Sequence, residues 1–261
     1  MRNAVCSLLL VAVASTPWSA SAADFVAPDK PQGGGTVVIG AQPVEPEAWP
    51  ATFIFRNDVG GCTSTAVGDR VILTAAHCVT DGEQGAVSLP SGAIKVVCDH
   101  HPQYATGNAS TDFALCLAEQ PMSGFAFEKV SASLADARPG SAVTLLGYGC
   151  TSKGGFDGSF GVLHVGPATV TRGPMGDDID TVTEGGAALC FGDSGGAAYF
   201  TANASLGTRV IIGVNSRGDI STRSFLSSTA TPSFVEWALT WAQSRAAAIC
   251  GLNPDAKGCR T

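Results

Sequence analysis

The chain has 261 residues, of which 14% are charged and 7% aromatic, and it carries a net charge of −7 and 32 glycines. This length is enough for one large domain or two small domains with cores of their own. The negative charge argues against nucleic acid as a partner. The composition is typical of a β-rich, turn-rich globular protein and excludes a disordered chain.

Residues 1–22 have the pattern of a secretory signal peptide. Arg2 supplies the basic start, residues 8–14 the apolar segment, and residues 20–22 a small-residue cleavage site, with cleavage one residue later as the alternative. A membrane anchor is the other interpretation, but the apolar run is too short to span a bilayer. Cys6 precedes that run, where a lipid-anchoring cysteine would not lie. We therefore expect a secreted protein, or a periplasmic one in a Gram-negative source, with no membrane partner.

Residues 23–37 are rich in proline and glycine, with Pro28, Pro31 and three glycines at 33–35. This composition favours turns and irregular backbone over a packed element. We predict a flexible pro-segment ahead of the folded domain.

Short apolar runs recur between turn signals from residue 51 onward, a pattern typical of an all-β sandwich or barrel. The runs are Thr52–Phe55, Val71–Leu73, Ile94–Val97, Phe113–Leu117, Val143–Leu146, Val162–Val165, Val210–Val214 and Ser224–Leu226. No internal repeat accompanies them.

The sequence GDSGG at residues 192–196 is the first candidate for chemistry. Its glycines allow a tight turn that exposes the Ser194 hydroxyl and aims the N–H groups of Gly192 and Ser194 at one point. Two such donors would stabilise an oxyanion as it forms. A serine hydroxyl is a poor nucleophile, so this interpretation requires a base and a group that orients it. An ordinary glycine-rich turn is the alternative.

Two upstream motifs supply candidates for these roles. His77 lies in TAAHC, just after the apolar run Val71–Leu73, and Asp112 begins another apolar run in TDFALC. Each residue by itself is more often structural, but the three motifs occur together in the order His77, Asp112, Ser194.

These motifs resemble the chymotrypsin/trypsin-like serine proteases in identity, order and spacing. Val38-Ile39-Gly40-Ala41, followed by Trp49-Pro50, is similar to the mature amino terminus of that family. The resemblance extends over a protease domain at about residues 38–248.

The resemblance implies a role for each motif residue. Ser194 attacks the scissile carbonyl, His77 takes the serine proton and later gives it to the leaving amine, and Asp112 orients the imidazole. The N–H groups of Gly192 and Ser194 form the oxyanion hole.

The resemblance also implies an all-β fold of two six-stranded antiparallel barrels, at about 38–125 and 140–230, with the active site between them. A C-terminal helix is expected at about 233–248, because Ser233 and Glu236 have capping-box spacing. Apolar residues at helical spacing should pack it on the second barrel; they are Phe234, Trp237, Ala238 and Trp241. Residues 249–261 form a polar tail clipped by a disulfide.

Eight cysteines remain after the signal, and they allow 105 pairings. The family resemblance implies Cys62–Cys78, beside the histidine. Spacing and elimination suggest Cys98–Cys116 between neighbouring strands, Cys250–Cys259 as a terminal clip, and Cys150–Cys190. We expect no metal and no cofactor, since no cysteine pair has Cys-x-x-Cys spacing and no histidines cluster with the cysteines.

Activation in this family follows a cut before the residue matching Val38, and the new amine pairs with the residue matching Asp193. The usual basic residue before the cut is missing, since Thr36-Val37 precedes Val38. Activation is therefore expected from a protease that is not trypsin-like, or by a cut after Thr36.

Specificity is expected from Ala188, at the base of the primary pocket, and from Ser216, Arg217 and Gly218, which match the substrate-binding strand. Ala188 replaces an aspartate of trypsin-like enzymes and cannot pair with Arg or Lys, so a neutral, apolar preference is expected. Arg217 replaces the usual aromatic residue and indicates acidic or polar side chains at the neighbouring subsite. The third wall of the primary pocket is expected near residues 221–228, but the sequence does not identify its residues.

We therefore predict a monomeric serine endopeptidase that acts on protein or peptide substrates and meets an activating protease and protein inhibitors. A catalytically silent homologue that binds partners is the main rival, but such proteins usually lose one of the three residues. An esterase is a third interpretation, because residues 192–196 also fit G-x-S-x-G. The order of its catalytic residues, serine, acid, histidine, is the reverse of the order here.

Overall fold

The computed structural model describes residues 41–57, 60–150, 161–203 and 208–261. Thirteen strands and two α-helices lie within these ranges. The strands are β1 (Gln42–Pro43), β2 (Thr52–Asn57), β3 (Gly60–Gly68), β4 (Val71–Thr74), β5 (Gln84–Leu89), β6 (Gly92–His100), β7 (Ala114–Ala118), β8 (Ala142–Gly147), β9 (His164–Arg172), β10 (Asp180–Glu184), β11 (Ala197–Asn203), β12 (Thr208–Gly218) and β13 (Arg223–Ser228). The helices are α1 (Pro102–Ala105) and α2 (Pro232–Ser244).

Strands β2 to β7 close into an antiparallel barrel in the order β2-β3-β4-β7-β6-β5. In β6, buried Ile94, Val96 and Cys98 alternate with more exposed residues, as expected where one face of a strand meets the core. Strand β4 is instead buried along its whole length. The chain that leaves β4, with His77, therefore starts from the protein interior.

Strands β8 to β13 form a second antiparallel barrel in the order β8-β9-β10-β13-β12-β11, which the pairing of β11 with β8 closes. In β9, His164, Gly166, Ala168 and Val170 are buried in alternation with more exposed neighbours. The predicted all-β fold of two six-stranded barrels with a C-terminal helix is confirmed.

The short strand β1 belongs to the second barrel. Gln42 pairs with Val165 and Pro43 with His164 on the edge of β9. The first barrel therefore begins at Thr52 and not at about residue 38. Apolar periodicity could not place a two-residue strand, because its position depends on pairing with a strand far along the chain.

A buried carboxylate joins the chain between the barrels to the second barrel and to the tail. Glu128 is fully buried and accepts hydrogen bonds from Arg209, at 2.5 Å, and from Arg260, at 3.1 Å. The Arg209 guanidinium also lies 3.7 Å above the Trp49 ring. Charges are rarely buried unless paired, and here two cations from β12 and the tail meet one anion.

Helix α2 begins at Pro232 and ends at Ser244, four residues before the predicted end. Its N-cap is Thr231, whose Oγ1 accepts the N–H of Phe234 at 3.5 Å, and Ser233 instead bonds Gln103. The backbone leaves the helix after Ser244, and Ala246 has a φ of 49°. Within the described part of the chain, no helix combines the length and apolar character needed to cross a membrane.

The apolar face of α2 packs on the first barrel, so the expectation of the second barrel is wrong. The ring of Phe234 lies 4.7 Å from that of Phe113, and the Trp241 indole donates to Asp99 at 2.8 Å. After β13 the chain returns across the first barrel. Periodicity identifies a buried face but not the surface that covers it.

Four disulfides connect the pairs that the sequence analysis expected. They are Cys62–Cys78, Cys98–Cys116, Cys150–Cys190 and Cys250–Cys259. Cys98 and Cys116 are directly opposite one another on β6 and β7.

Candidate active site

His77 lies in a single 3-10 turn, Ala76–Cys78, that is separated from the end of β4 by one residue. The disulfide between Cys62 and Cys78 fastens this turn to β3. The His77 side chain is 17% exposed. Part of the imidazole ring is therefore accessible, while the disulfide fixes the backbone that carries it.

Asp112 follows another 3-10 turn, at Ala109–Thr111, and is buried. Its Oδ1 accepts the backbone N–H of His77 at 2.9 Å, and its Oδ2 lies 2.6 Å from the His77 Nδ1. The Ser216 hydroxyl donates to the same Oδ2 at 2.6 Å. An ionised carboxylate only accepts hydrogen bonds, so this contact places the imidazole proton on Nδ1 and leaves Nε2 as the acceptor.

The His77–Asp112 pair changes the pKa of both groups. Burial disfavours the charged imidazolium most strongly, but the Asp112 charge and hydrogen bond together raise the pKa of His77 above 6.5. Burial likewise opposes ionisation of Asp112, yet His77 and Ser216 hold its pKa below 3.8. The positive charge of Arg217 lowers the pKa of His77 in part. Asp112 is therefore an anion at neutral pH and favours a protonated His77.

Ser194 lies on a turn that both barrels hold. The Thr63 N–H of β3 donates to the Ser194 carbonyl at 2.8 Å, and the Gly195 N–H donates to the Asn215 carbonyl of β12 at 2.8 Å. Gly195 has a φ of 80°, and a Cβ there would lie 2.3 Å from the Thr63 carbonyl oxygen. Only glycine fits this position, because both the backbone conformation and the space exclude a side chain.

The N–H groups of Gly192 and Ser194 are unusual in this turn. Gly192 has a φ of 95°, and its carbonyl accepts the Thr63 hydroxyl at 2.8 Å. Among the described residues, neither N–H has an acceptor. Ser194 is only 7% exposed, and nearly all buried backbone donors in native proteins are paired. These two donors are therefore available to an outside acceptor.

Asp193 points away from Ser194 into the second barrel and is buried. Its Oδ1 accepts the Gly149 N–H at 2.8 Å and its Oδ2 accepts the Cys190 N–H at 2.9 Å. Burial nevertheless raises the pKa of Asp193 to about 7. Val38, its expected partner, lies outside the described residues, so that pairing stays a prediction.

Arg217 is one half of an ion pair. Its guanidinium contacts the carboxylate of Asp180, which is buried on β10, and also donates to the Ala109 carbonyl at 3.0 Å. It lies 5.0 Å above the Phe225 ring. Burial raises the pKa of Asp180 to about 6, although Arg217 opposes this. Arg217 is therefore already paired with an anion, and the acidic or polar side chains expected at the neighbouring subsite stay a prediction.

A cleft of about 490 Å³ opens beside the imidazole. We call it the His77 cleft; its walls include His77, Tyr104, Ala109, Asp112, Ser216 and Arg217. Of the predicted specificity residues, it therefore contains Ser216 and Arg217. Concave sites of this size, with a few polar groups, are typical of ligand binding.

Ala188 does not line the His77 cleft. It is buried and borders a separate cavity of about 10 Å³ next to Asp193 and His164. The adjacent Leu189 N–H donates to the Ser224 hydroxyl at 3.0 Å, and Ser224 is paired with Gly218. Strand β13 therefore lies beside Ala188, in the region near residues 221–228 where the sequence did not assign the third pocket wall.

Several residues at the site carried no signal in the sequence. Thr63 and Asp180 contact the site through tertiary structure alone, and Ser227 accepts the Asp112 N–H at 3.2 Å from 115 residues away. Cys62 and Cys78 lie beside His77 like metal ligands, but a disulfide sulfur is not the thiolate that binds metal.

A model of the trypsin family matches residues 38–238. The chain belongs to the trypsin family. A trypsin from Saccharopolyspora erythraea is 27% identical over 189 residues, which are 61% of this chain and 80% of that protein. The serine protease SP24D from Anopheles gambiae is 28% identical over 188 residues, 63% of this chain and 68% of that protein.

Solved structures of the trypsin fold are also similar. A mutant of human heparin binding protein superposes with a TM-score of 0.61 at 14% identity, covering 79% of this chain and 96% of that one. At this identity the likeness shows the fold alone. The family itself implies protein substrates.

Proposed function

We propose that this protein is a secreted serine endopeptidase in which Ser194 is the nucleophile, His77 the base and Asp112 its orienting anion. The observation that carries the proposal is the 2.6 Å contact between His77 Nδ1 and Asp112. In the neutral imidazole it places the proton on Nδ1 and leaves Nε2 as the acceptor for a hydroxyl. The family match to a serine protease supports the same reaction class.

In the proposed reaction the Ser194 Oγ bonds to the scissile carbonyl carbon while its proton moves to His77 Nε2. The negative charge that forms on the carbonyl oxygen meets the unpaired N–H groups of Gly192 and Ser194. The C–N bond then breaks, and the amine leaves with the proton from His77. Water, deprotonated by His77, attacks the acyl-enzyme and releases the acid and Ser194.

Asp112 acts in this scheme without gaining a proton. Its pKa lies below 3.8, and three donors surround its two oxygens. The anion therefore stabilises the imidazolium that forms each time the serine gives up its proton. Ser216 contributes by holding Asp112 in place, beyond its expected contact with the substrate backbone.

Export and processing complete the proposal. Four disulfides support an oxidising compartment, in agreement with removal of the signal at 1–22. A buried carboxylate with a pKa of about 7 and no cationic side chain bonded to it in the described ranges supports pairing of Asp193 with a new amine at Val38. We propose a monomer that is activated by another protease and meets protein inhibitors.

The proposed primary specificity is for a neutral, apolar residue. Ala188 offers no charge. The nearby Asp219 binds the N–H groups of Ser221, Thr222 and Arg223 in its own turn. Asp180 is held by Arg217.

A peptide library should give kcat/KM about 100-fold higher for cleavage after apolar residues than after Arg or Lys, since an unpaired buried cation costs several kcal/mol. Equal cleavage after Arg would refute this preference.

A fluorophosphonate probe tests the proposed nucleophile. The processed, oxidised protein should be labelled at Ser194, and Ser194→Ala should not be labelled. Ser88→Ala, at an exposed position on β5, is the matched control and should be labelled like the natural protein. If no cleaved form that begins near Val38 is labelled, the chain is a silent homologue and the endopeptidase proposal fails.

The pH profile of activity tests His77 as the base. Because the pKa of His77 is raised and the base must be neutral, kcat/KM should rise with pH with a midpoint above 6.5. Arg217 opposes protonation of His77, so Arg217→Gln should move the midpoint upward by about 0.3 to 0.5 of a pH unit. Asp180 is protonated more easily once the guanidinium is gone, which keeps the shift small.

Arg217→Lys is the control for that shift, because it keeps the positive charge. Its midpoint should lie closer to that of the natural protein. If the midpoint of the rise in kcat/KM is lower in Arg217→Gln than in the natural protein, His77 is not the group whose titration produces that rise.

A further inference from the structure

Thr63 joins the first barrel to the turn that carries Ser194. It lies on β3 and is fully buried. Its N–H donates to the Ser194 carbonyl at 2.8 Å, and its hydroxyl donates to the Gly192 carbonyl at 2.8 Å. The same hydroxyl accepts the Tyr148 N–H at 3.0 Å. Thr63 therefore bonds both ends of the segment that carries the two unpaired N–H groups, with its backbone N–H at Ser194 and its side chain at Gly192.

We propose that Thr63 is a positioning residue. Its hydroxyl helps to hold Gly192 in the conformation in which the Gly192 N–H faces the substrate oxygen. The inference rests on the proposed endopeptidase function. Thr63 does not touch the reacting atoms and acts through Gly192.

Gly192 needs such a restraint because of its own chemistry. It has no Cβ, so both peptide groups beside it rotate with little steric opposition. At its φ of 95°, rotation of these groups would turn the N–H away from the oxyanion. The bond from Thr63 fixes the peptide group between Gly192 and Asp193, while the Cys150 N–H, which donates to the Phe191 carbonyl at 2.9 Å, fixes the peptide group that carries the Gly192 N–H. With both neighbouring peptide groups bonded, Gly192 keeps its conformation, because a bonded carbonyl loses its hydrogen bond when it turns.

The second bond of the hydroxyl extends the restraint to the wall of the site. Tyr148 precedes Gly149, whose N–H binds the Asp193 carboxylate at 2.8 Å. Asp193 in turn lies between Gly192 and Ser194. The Thr63 hydroxyl thus links two segments that meet again at Asp193, since it donates one hydrogen bond and accepts another.

Thr63→Val removes the hydroxyl and keeps the shape of the side chain. We expect kcat to fall by about 10- to 100-fold with KM changed less than about 2-fold, because loss of a whole oxyanion donor costs about 10²- to 10³-fold. Affinity for a peptide boronate, whose tetrahedral adduct places an oxygen among the same donors, should fall with kcat. Thr63→Ser should restore both quantities to within about 3-fold of the natural protein.

Thr181→Val is the matched control. Thr181 is also fully buried on a strand, and its hydroxyl has no partner among the described residues. It should leave kcat and boronate affinity unchanged. If Thr63→Val does not fold, Thr63→Ala removes the same hydroxyl with a smaller side chain and should show the same loss.

Three results would overturn the inference: equal kcat in the Thr63 and Thr181 variants, a change confined to KM or to thermal stability, or no recovery in Thr63→Ser. These differ from failure of the proposed function. In that case the natural protein itself neither hydrolyses peptides nor reacts with the fluorophosphonate, and the positioning role fails with it.

Discussion

Replacing Asp112 with asparagine should lower kcat by about 10⁴-fold and leave the fold intact. The carboxylate oxygen Oδ1 accepts the His77 backbone N–H, so the amide oxygen of the asparagine stays at that position. The amide NH₂ then faces the imidazole. It donates to Nδ1, which moves the imidazole proton to Nε2. An Nε2 that already carries a proton cannot take one from Ser194.

Burst and steady-state kinetics with a peptide ester would measure this loss. Asp99→Asn is the matched control, because Asp99 is also a hydrogen-bonded carboxylate of the first barrel. It accepts hydrogen bonds from Trp241 and Arg245 and does not line the His77 cleft. The control should keep its activity. A loss below about 10-fold in Asp112→Asn would mean that the imidazole does not depend on this anion for its tautomer.

Replacing Glu128 with alanine should lower the free energy of unfolding by about 3 to 5 kcal/mol. The carboxylate is fully buried and meets Arg209 and Arg260 from two different segments. Without it, two cations that are mostly shielded from water face each other, and the Arg209 side chain remains stacked on Trp49. Removing one partner of a buried ion pair lowers the free energy of unfolding by more than the intact pair contributes to it, because the other charge remains buried without compensation.

Denaturant unfolding of the oxidised protein measures the change. Arg260→Ala should cost less than Glu128→Ala, since Arg209 still pairs with the anion and Arg260 is 24% exposed. A loss under about 1 kcal/mol in Glu128→Ala would show that water replaces the carboxylate at the two guanidinium groups.

The parts of the site that the sequence predicts are those in which local chemistry restricts the residue. The turn around Ser194 needs glycines, because a Cβ at Gly195 would meet the Thr63 carbonyl. His77 follows a strand that is buried throughout and whose first three residues, Val71–Leu73, are apolar. The fold class follows from the same short apolar runs, and the family resemblance supplies the count of strands.

The remaining features depend on which distant segments meet. Asp180 and Thr63 are ordinary strand residues whose contacts with Arg217 and Gly192 follow from how the barrels face each other. The position of β1 and the surface under α2 have the same origin. A pattern along the chain shows that a residue is buried, but only the packed structure shows against what.

The buried carboxyl of Asp193 makes the chain sensitive to acidity before any processing. Its pKa is about 7 in the folded protein and near 3.8 when exposed, so the folded chain holds a proton that the unfolded chain has released over this interval. Stability therefore falls as pH rises from about 4 to 7. In the proposed processed form an amine beside Asp193 reverses this balance. The uncut chain is thus expected to unfold more easily at neutral than at mildly acidic pH, and the cut chain to lose this dependence.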